Sequence, residues 1–150
     1  MKQKFDYKVF SSILQDQDYQ KLKLIPRHGT TNTYDHSLRV AHAAASLAAL
    51  FRCDAYQCVR AALLHDFCLI DHRQPDKPKG CYLFYHPREA AHNAARFHIT
   101  AAEDNAIRSH MFPLAGIPRS RVAVAVSLAD KYVAAIEAIK FIPNYVPKLI

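Results

Sequence analysis

Apolar residues recur every three or four positions along most of this chain, which is the spacing of one buried face of an α-helix. Sustained alternation of apolar and polar residues, the mark of a half-buried strand, is not found, and the chain has only three glycines. The pattern therefore predicts an all-α bundle of about six helices. We expect these helices over residues 5–14, 33–51, 55–66, 87–97, 101–110 and 118–140.

Three of the predicted helices begin at polar residues whose side chains can accept a hydrogen bond from the N–H groups of the first turn. The pairs with this spacing are Asn32 with Asp35, Asp54 with Gln57, and Thr100 with Glu103. Pro87 and Pro118 suit the first turn of two other helices, because proline has no N–H to leave unpaired there. The stretch 71–85 contains two prolines, a glycine and several basic residues, which predicts a long basic loop.

The chain has the size of one domain. Its 150 residues are 51% hydrophobic and 22% charged, which is enough apolar material for an ordinary core. A core of this size needs neither disulfides nor a structural metal, so a bound metal would serve chemistry. We expect a single domain over residues 1–150.

The cysteines and the charge indicate the surroundings of the protein. Cys53, Cys58, Cys68 and Cys81 lack C-x-x-C spacing, and we interpret them as reduced thiols in a cytoplasmic protein. The most apolar window, residues 40–51, is shorter than the ~20 residues that cross a bilayer, so no membrane span is expected. The net charge of +7 suits an anionic partner, but its spread along the chain makes nucleic acid an unlikely one.

Histidine and aspartate residues fall on or beside the apolar faces of four predicted helices. They are His36, His65, Asp66, His110 and Asp130. A single histidine on such a face is more often a core residue, but five such residues on four helices indicate a convergent site, because buried carboxylates need a partner. Imidazole and carboxylate together suit transition metals better than calcium or magnesium.

Three of these segments resemble the H…HD…D pattern of the HD-domain metal-dependent phosphohydrolase superfamily. The histidine of Tyr34-Asp35-His36-Ser37, the pair in Leu63-Leu64-His65-Asp66 and the aspartate of Leu128-Ala129-Asp130-Lys131 carry the resemblance, which covers about residues 27–137. It implies an all-α fold, as the helix pattern does. It also implies that His36, His65, Asp66 and Asp130 bind a first metal ion. Asp66, to which we assign the catalytic role, would bridge to a second ion.

Two further histidines lie where the binuclear branches of that superfamily place additional ligands, between the His-Asp pair and the last aspartate. The resemblance implies that His86 and His110 complete a second metal site. The expected cofactor is therefore one or two divalent transition metal ions, of Fe, Mn, Ni, Co or Zn. The G-Y-P signature of the cyclic-dinucleotide phosphodiesterases is missing, and Met111-Phe112-Pro113 stands near its place, which argues against a cyclic dinucleotide substrate.

The function that the resemblance implies is a metal-dependent phosphohydrolase acting on a nucleotide or another small phosphate ester. Positive side chains would hold the phosphate, and Lys131, His28 and Arg73 are the residues we expect to bind substrate. A binuclear-iron oxygenase-like enzyme and a non-catalytic nucleotide-binding module remain alternatives, and an oligomer is possible. His72 and His98 are expected at the surface, without a role in the site.

Overall fold

Seven α-helices and three short 3-10 helices form the part of the chain that the computed structural model describes, residues 7–27 and 29–140. The α-helices are α1 (Ser11–Leu14), α2 (Gln17–Gln20), α3 (Thr33–Phe51), α4 (Ala55–Leu64), α5 (Tyr82–Ala94), α6 (Ala101–Ser109) and α7 (Arg121–Lys140). The 3-10 helices are Tyr7–Phe10, Lys21–Leu24 and Ala95–Phe97. Within these residues there is no β-strand, so the predicted all-α class is confirmed.

The two longest helices, α3 and α7, pack against each other, and α4 packs against both. Helix α6 contacts α4, α5 and α7 and so closes the bundle on the side of α5. The faces that meet are rich in fully buried alanine: Ala41, Ala44 and Ala48 of α3, Ala61 and Ala62 of α4, and Ala123, Ala125 and Ala129 of α7. Small side chains let helix axes approach closely, which allows polar side chains from different helices to meet.

The predicted caps are present and determine where three helices begin. The hydrogen bonds run from the N–H of Asp35 to Asn32 Oδ1 (2.8 Å), from the N–H of Gln57 to Asp54 Oδ1 (3.0 Å), and from the N–H of Glu103 to Thr100 Oγ1 (3.2 Å). Glu103 also accepts from the N–H of Thr100 at 2.7 Å, which completes a capping box at the start of α6. These caps place His36 in the first turn of α3 and His110 directly after α6.

Helix α5 begins at Tyr82, whereas the sequence pattern predicts a start at Pro87. Pro87 lies inside the helix, where it lacks the N–H that would bond to the carbonyl of Leu83. Ring contacts of Tyr82 support the additional turn. The Tyr82 ring stacks on that of His86 with the centroids 4.3 Å apart, and its centroid lies 4.6 Å from that of His72. The basic loop is therefore shorter than predicted, and His72 is half-buried rather than at the surface.

Two other boundaries differ from the pattern. The first predicted helix, residues 5–14, is a 3-10 helix over Tyr7–Phe10 followed by the single turn α1, and its first two residues lie outside the described part. Helix α7 begins at Arg121 rather than at Pro118, because the Ser120 hydroxyl accepts a hydrogen bond at 3.1 Å from an N–H of the first turn and so acts as the cap.

Among the helices of residues 7–27 and 29–140, none has the length and apolar character needed to cross a bilayer. The single domain over residues 1–150 and the cytoplasmic location stay predictions.

Candidate metal centre

Five separate elements bring the predicted metal ligands together. His36 lies in α3, His86 in α5 and Asp130 in α7, while His65 and Asp66 follow the last residue of α4 and His110 follows the last residue of α6. All six residues are buried, and the most exposed of them, Asp130, has an exposed fraction of 5%. Their donor atoms form two groups, within each of which one atom per residue lies within 4.8 Å of the others.

The first group consists of His36, His65, Asp66 and Asp130. Asp66 Oδ2 lies 3.1 Å from His65 Nε2 and 3.7 Å from His36 Nε2. Asp130 Oδ1 lies 3.0 Å from His36 Nε2 and 3.5 Å from His65 Nε2. Two ligands that are each about 2.1 Å from one ion stand roughly 3.0–3.4 Å apart at angles of about 90–110°. The observed separations are close to that range.

The second group consists of Asp66, His86 and His110. The other oxygen of Asp66, Oδ1, lies 3.4 Å from His86 Nε2 and 3.5 Å from His110 Nε2. The two Nε2 atoms are 3.0 Å apart. Asp66 therefore belongs to both groups: its Oδ2 faces His36 and His65, and its Oδ1 faces His86 and His110.

The Nδ1 atoms of all four histidines point away from the two groups and are held by acceptors. His65 Nδ1 donates to the carbonyl of Ala62 (2.6 Å), His86 Nδ1 to that of Tyr82 (2.7 Å), and His110 Nδ1 to that of Ile107 (2.7 Å). His36 Nδ1 donates instead to a carboxylate, Glu137 Oε2, at 2.9 Å. Because carbonyl oxygens and ionised carboxylates accept hydrogen bonds, each Nδ1 carries a proton, and these bonds orient the rings with Nε2 toward the site.

Three donor atoms of the groups are buried without a hydrogen bond among the described residues. They are His65 Nε2 and both carboxylate oxygens of Asp66, which approach neighbouring atoms without the geometry of a hydrogen bond. An unsatisfied buried carboxylate is costly, and coordination of a cation removes that cost. The chemistry of these donors therefore fits a divalent metal ion.

The electrostatics of the site keep its carboxylates ionised. Burial alone would raise the pKa of Asp66, but the charges of Arg27 and His65 hold it well below its usual range. Against the effect of burial, Asp66 and Asp130 in turn raise the pKa of His65 to about 10, so a metal ion bound at the first group would displace the proton from His65 Nε2. Burial is likewise outweighed at Asp130, where the hydrogen bond from His36 and the neighbouring charge of His65 hold the pKa well below its usual range. Burial, together with the positive charge of His65, lowers the pKa of His110 to about 3, so this imidazole is neutral and keeps a lone pair on Nε2.

Two residues of the site were not identified from the sequence. Arg27 precedes α3 in a loop, and its Nη2 lies 2.5 Å from Asp66 Oδ2 and 3.2 Å from His36 Nε2. No periodic signal marks a loop residue. Glu137 had a signal, because it follows Asp130 by seven residues and so, at about 100° per residue, returns to the same face of α7 after two turns.

The predicted substrate-binding residues have different surroundings. Lys131 Nζ donates to the carbonyl of His110 (2.9 Å) and to Ser127 Oγ (2.7 Å). Its ammonium group therefore holds the backbone carbonyl of His110, a residue of the second group. Arg73 lies on the exposed loop, where its Nε is 3.4 Å from Asp71 Oδ1. His28 lies outside the described residues. The substrate-binding role of these three residues stays a prediction.

The architecture and the site define a class: an all-α protein with a buried His/Asp cluster that can hold a divalent metal ion. The family model described as the HD domain matches residues 33–135, a segment that contains all six donor residues. The chain therefore belongs to the HD-domain family, whose members are in general metal-dependent phosphohydrolases. The comparisons with curated proteins and with solved structures gave no match.

Proposed function

We propose that this protein is a metal-dependent phosphohydrolase that acts on a nucleotide or another small phosphate ester through a binuclear centre. The observation that carries the proposal is the position of Asp66, whose two oxygens face two different groups of histidines. His36, His65, Asp66 and Asp130 would hold one ion, and Asp66, His86 and His110 the other. The mixture of imidazole and carboxylate ligands favours Fe, Mn, Ni, Co or Zn.

Such a pair of ions supplies an activated water and neutralises charge on a transferring phosphoryl group. The chain supplies the conditions for that chemistry. Its donor atoms are buried, so charges interact more strongly there than in water. The carboxylates stay ionised at neutral pH, since the pKa values of Asp66 and Asp130 are held low. The nearly complete burial of these residues supports a small phosphate-bearing substrate rather than a nucleic-acid duplex.

Arg27 adds a permanent positive charge beside the first group. Its side chain has an exposed fraction of 13%, and its Nε is buried without a hydrogen-bond partner among the described residues. A guanidinium group offers several N–H donors in one plane, which suits the oxygens of a phosphate. We propose that Arg27 exchanges part of its contact with Asp66 for a phosphate oxygen of the substrate.

The proposal is tested by phosphate release from nucleoside mono-, di- and triphosphates and from a simple aryl phosphate, with each candidate metal added in turn. Asp66→Ala is expected to lose activity, because it removes a donor from both groups. Asp104→Ala is the matched control, since Asp104 forms a partly exposed ion pair with Arg108 on α6. An Asp66→Ala variant with wild-type activity would contradict the proposal. Substrate-dependent oxygen uptake without phosphate release would instead support the oxygenase alternative.

A further inference from the structure

The imidazole of His36 is held from both sides by carboxylates of one helix. Asp130 Oδ1 lies 3.0 Å from His36 Nε2, and Glu137 Oε2 lies 2.9 Å from His36 Nδ1. Both carboxylates belong to α7, two turns apart on the same face. The orientation of the ring is therefore determined by the packing of α3 against α7.

Glu137 is itself fixed in place. Its side chain has an exposed fraction of 4%, and its second oxygen, Oε1, accepts a hydrogen bond at 2.8 Å from Nη1 of Arg39. Arg39 follows His36 by three residues, so it lies on the adjacent part of α3. One oxygen of Glu137 is thus committed to Arg39 and the other to His36.

This contact distinguishes the first group from the second. The other three histidines, His65, His86 and His110, donate their Nδ1 protons to neutral backbone carbonyls within their own segments. Only His36, of the four, donates to an anion. A carboxylate acceptor raises the basicity of the opposite ring nitrogen more than a carbonyl does, and outer partners of this kind contribute strongly to metal affinity.

We propose that Glu137 is a positioning residue that fixes the His36 ring with its proton on Nδ1 and thereby strengthens metal binding at the first group selectively. The inference rests on metal occupancy of the centre, which belongs to the proposed function. The alternative is that Glu137 and Arg39 only tie α3 to α7. A purely structural role would lower metal affinity only as far as Glu137→Gln lowers the free energy of unfolding of the chelator-treated protein, whereas positioning of His36 lowers the affinity of the first group beyond that.

The test compares Glu137→Gln in two single-site backgrounds. His86→Ala removes a donor from the second group and leaves the first complete, while His36→Ala leaves the second complete. Dissociation constants for Zn²⁺ and Mn²⁺ are measured by competition with a chromophoric chelator. In the His86→Ala background, Glu137→Gln is expected to weaken binding roughly 10- to 100-fold. In the His36→Ala background, it is expected to leave the dissociation constant unchanged.

Glu103→Gln is the matched control, because Glu103 is also a buried glutamate paired with an arginine, Arg60 at 3.0 Å, but belongs to neither group. It should leave metal binding unchanged in both backgrounds. If Glu137→Gln does not fold, Arg39→Met tests the positioning of Glu137, since it frees Glu137 Oε1 and loosens the carboxylate that holds His36, and it should weaken the first group in the same direction.

Equal dissociation constants with and without Glu137→Gln in the His86→Ala background would overturn the inference without contradicting the metal centre of the proposed function. Equal weakening in both backgrounds would also overturn it, as would a loss of metal affinity no larger than the loss of unfolding free energy that urea titration of the chelator-treated protein measures, which would favour the structural role. If neither the wild-type protein nor the His86→Ala variant binds metal, the centre in the proposed function fails, and the inference fails with it.

Discussion

Asp66 joins two sets of histidines because it stands in the turn after α4, where neither of its oxygens is used by the backbone. The sequence could predict this residue, since the His-Asp pair ends the apolar face of α4 and matches the H…HD…D pattern of the resemblance. It could not predict Arg27. The position of Arg27 depends on how the loop before α3 folds over the site, and no periodic pattern describes a loop.

Arg27 compensates a buried carboxylate, so its removal should destabilise the metal-free protein. Arg27→Met is expected to lower the free energy of unfolding by about 3–5 kcal/mol, because it removes the guanidinium partner of a buried carboxylate. Urea titration of the chelator-treated protein measures the change. Arg108→Met is the matched control, whose partly exposed ion pair with Asp104 is worth about 0–1 kcal/mol. Equal effects of the two variants would contradict the assigned role of Arg27.

At the scale of elements, the site depends on close packing of helices that carry small residues. The sequence predicts the five longer helices, α3 to α7, and the starts of α3, α4 and α6, because amphipathic spacing and capping residues are local signals. The sequence pattern is wrong at α5, because Pro87 predicts a helix start and the helix begins at Tyr82. The contact of Tyr82 with His72 lies outside the helix, and local rules do not foresee the additional turn that places Tyr82 between His72 and His86.

The close packing of α3 can be tested with one added side chain. Ala44 is fully buried on α3, so Ala44→Leu is expected to destabilise the protein by about 1–3 kcal/mol through overpacking. Ala49→Leu places the same side chain on the exposed side of the same helix and should be close to neutral. Thermal and urea unfolding of both variants measure the difference. Tolerance of Ala44→Leu equal to that of Ala49→Leu would contradict close packing at this position.

At the scale of the whole molecule, the centre exists only when the bundle is assembled. Its donors come from five elements between residues 36 and 130, and neither group can form within one helix. The sequence indicates which residues meet, through their apolar surroundings and the H…HD…D pattern. The division of the six donors between two groups is also what the resemblance implies, and in the structure it follows from the orientation of Asp66, which no periodic pattern describes. The proposal of two ions follows from that division.

Elemental analysis of protein purified without added metal tests the central claim most directly. The wild-type chain is expected to contain two transition metal ions, His86→Ala one, and Asp66→Ala none, because Asp66 contributes to both groups. A wild-type chain without transition metal, or an Asp66→Ala chain with as much metal as the wild type, would contradict the account.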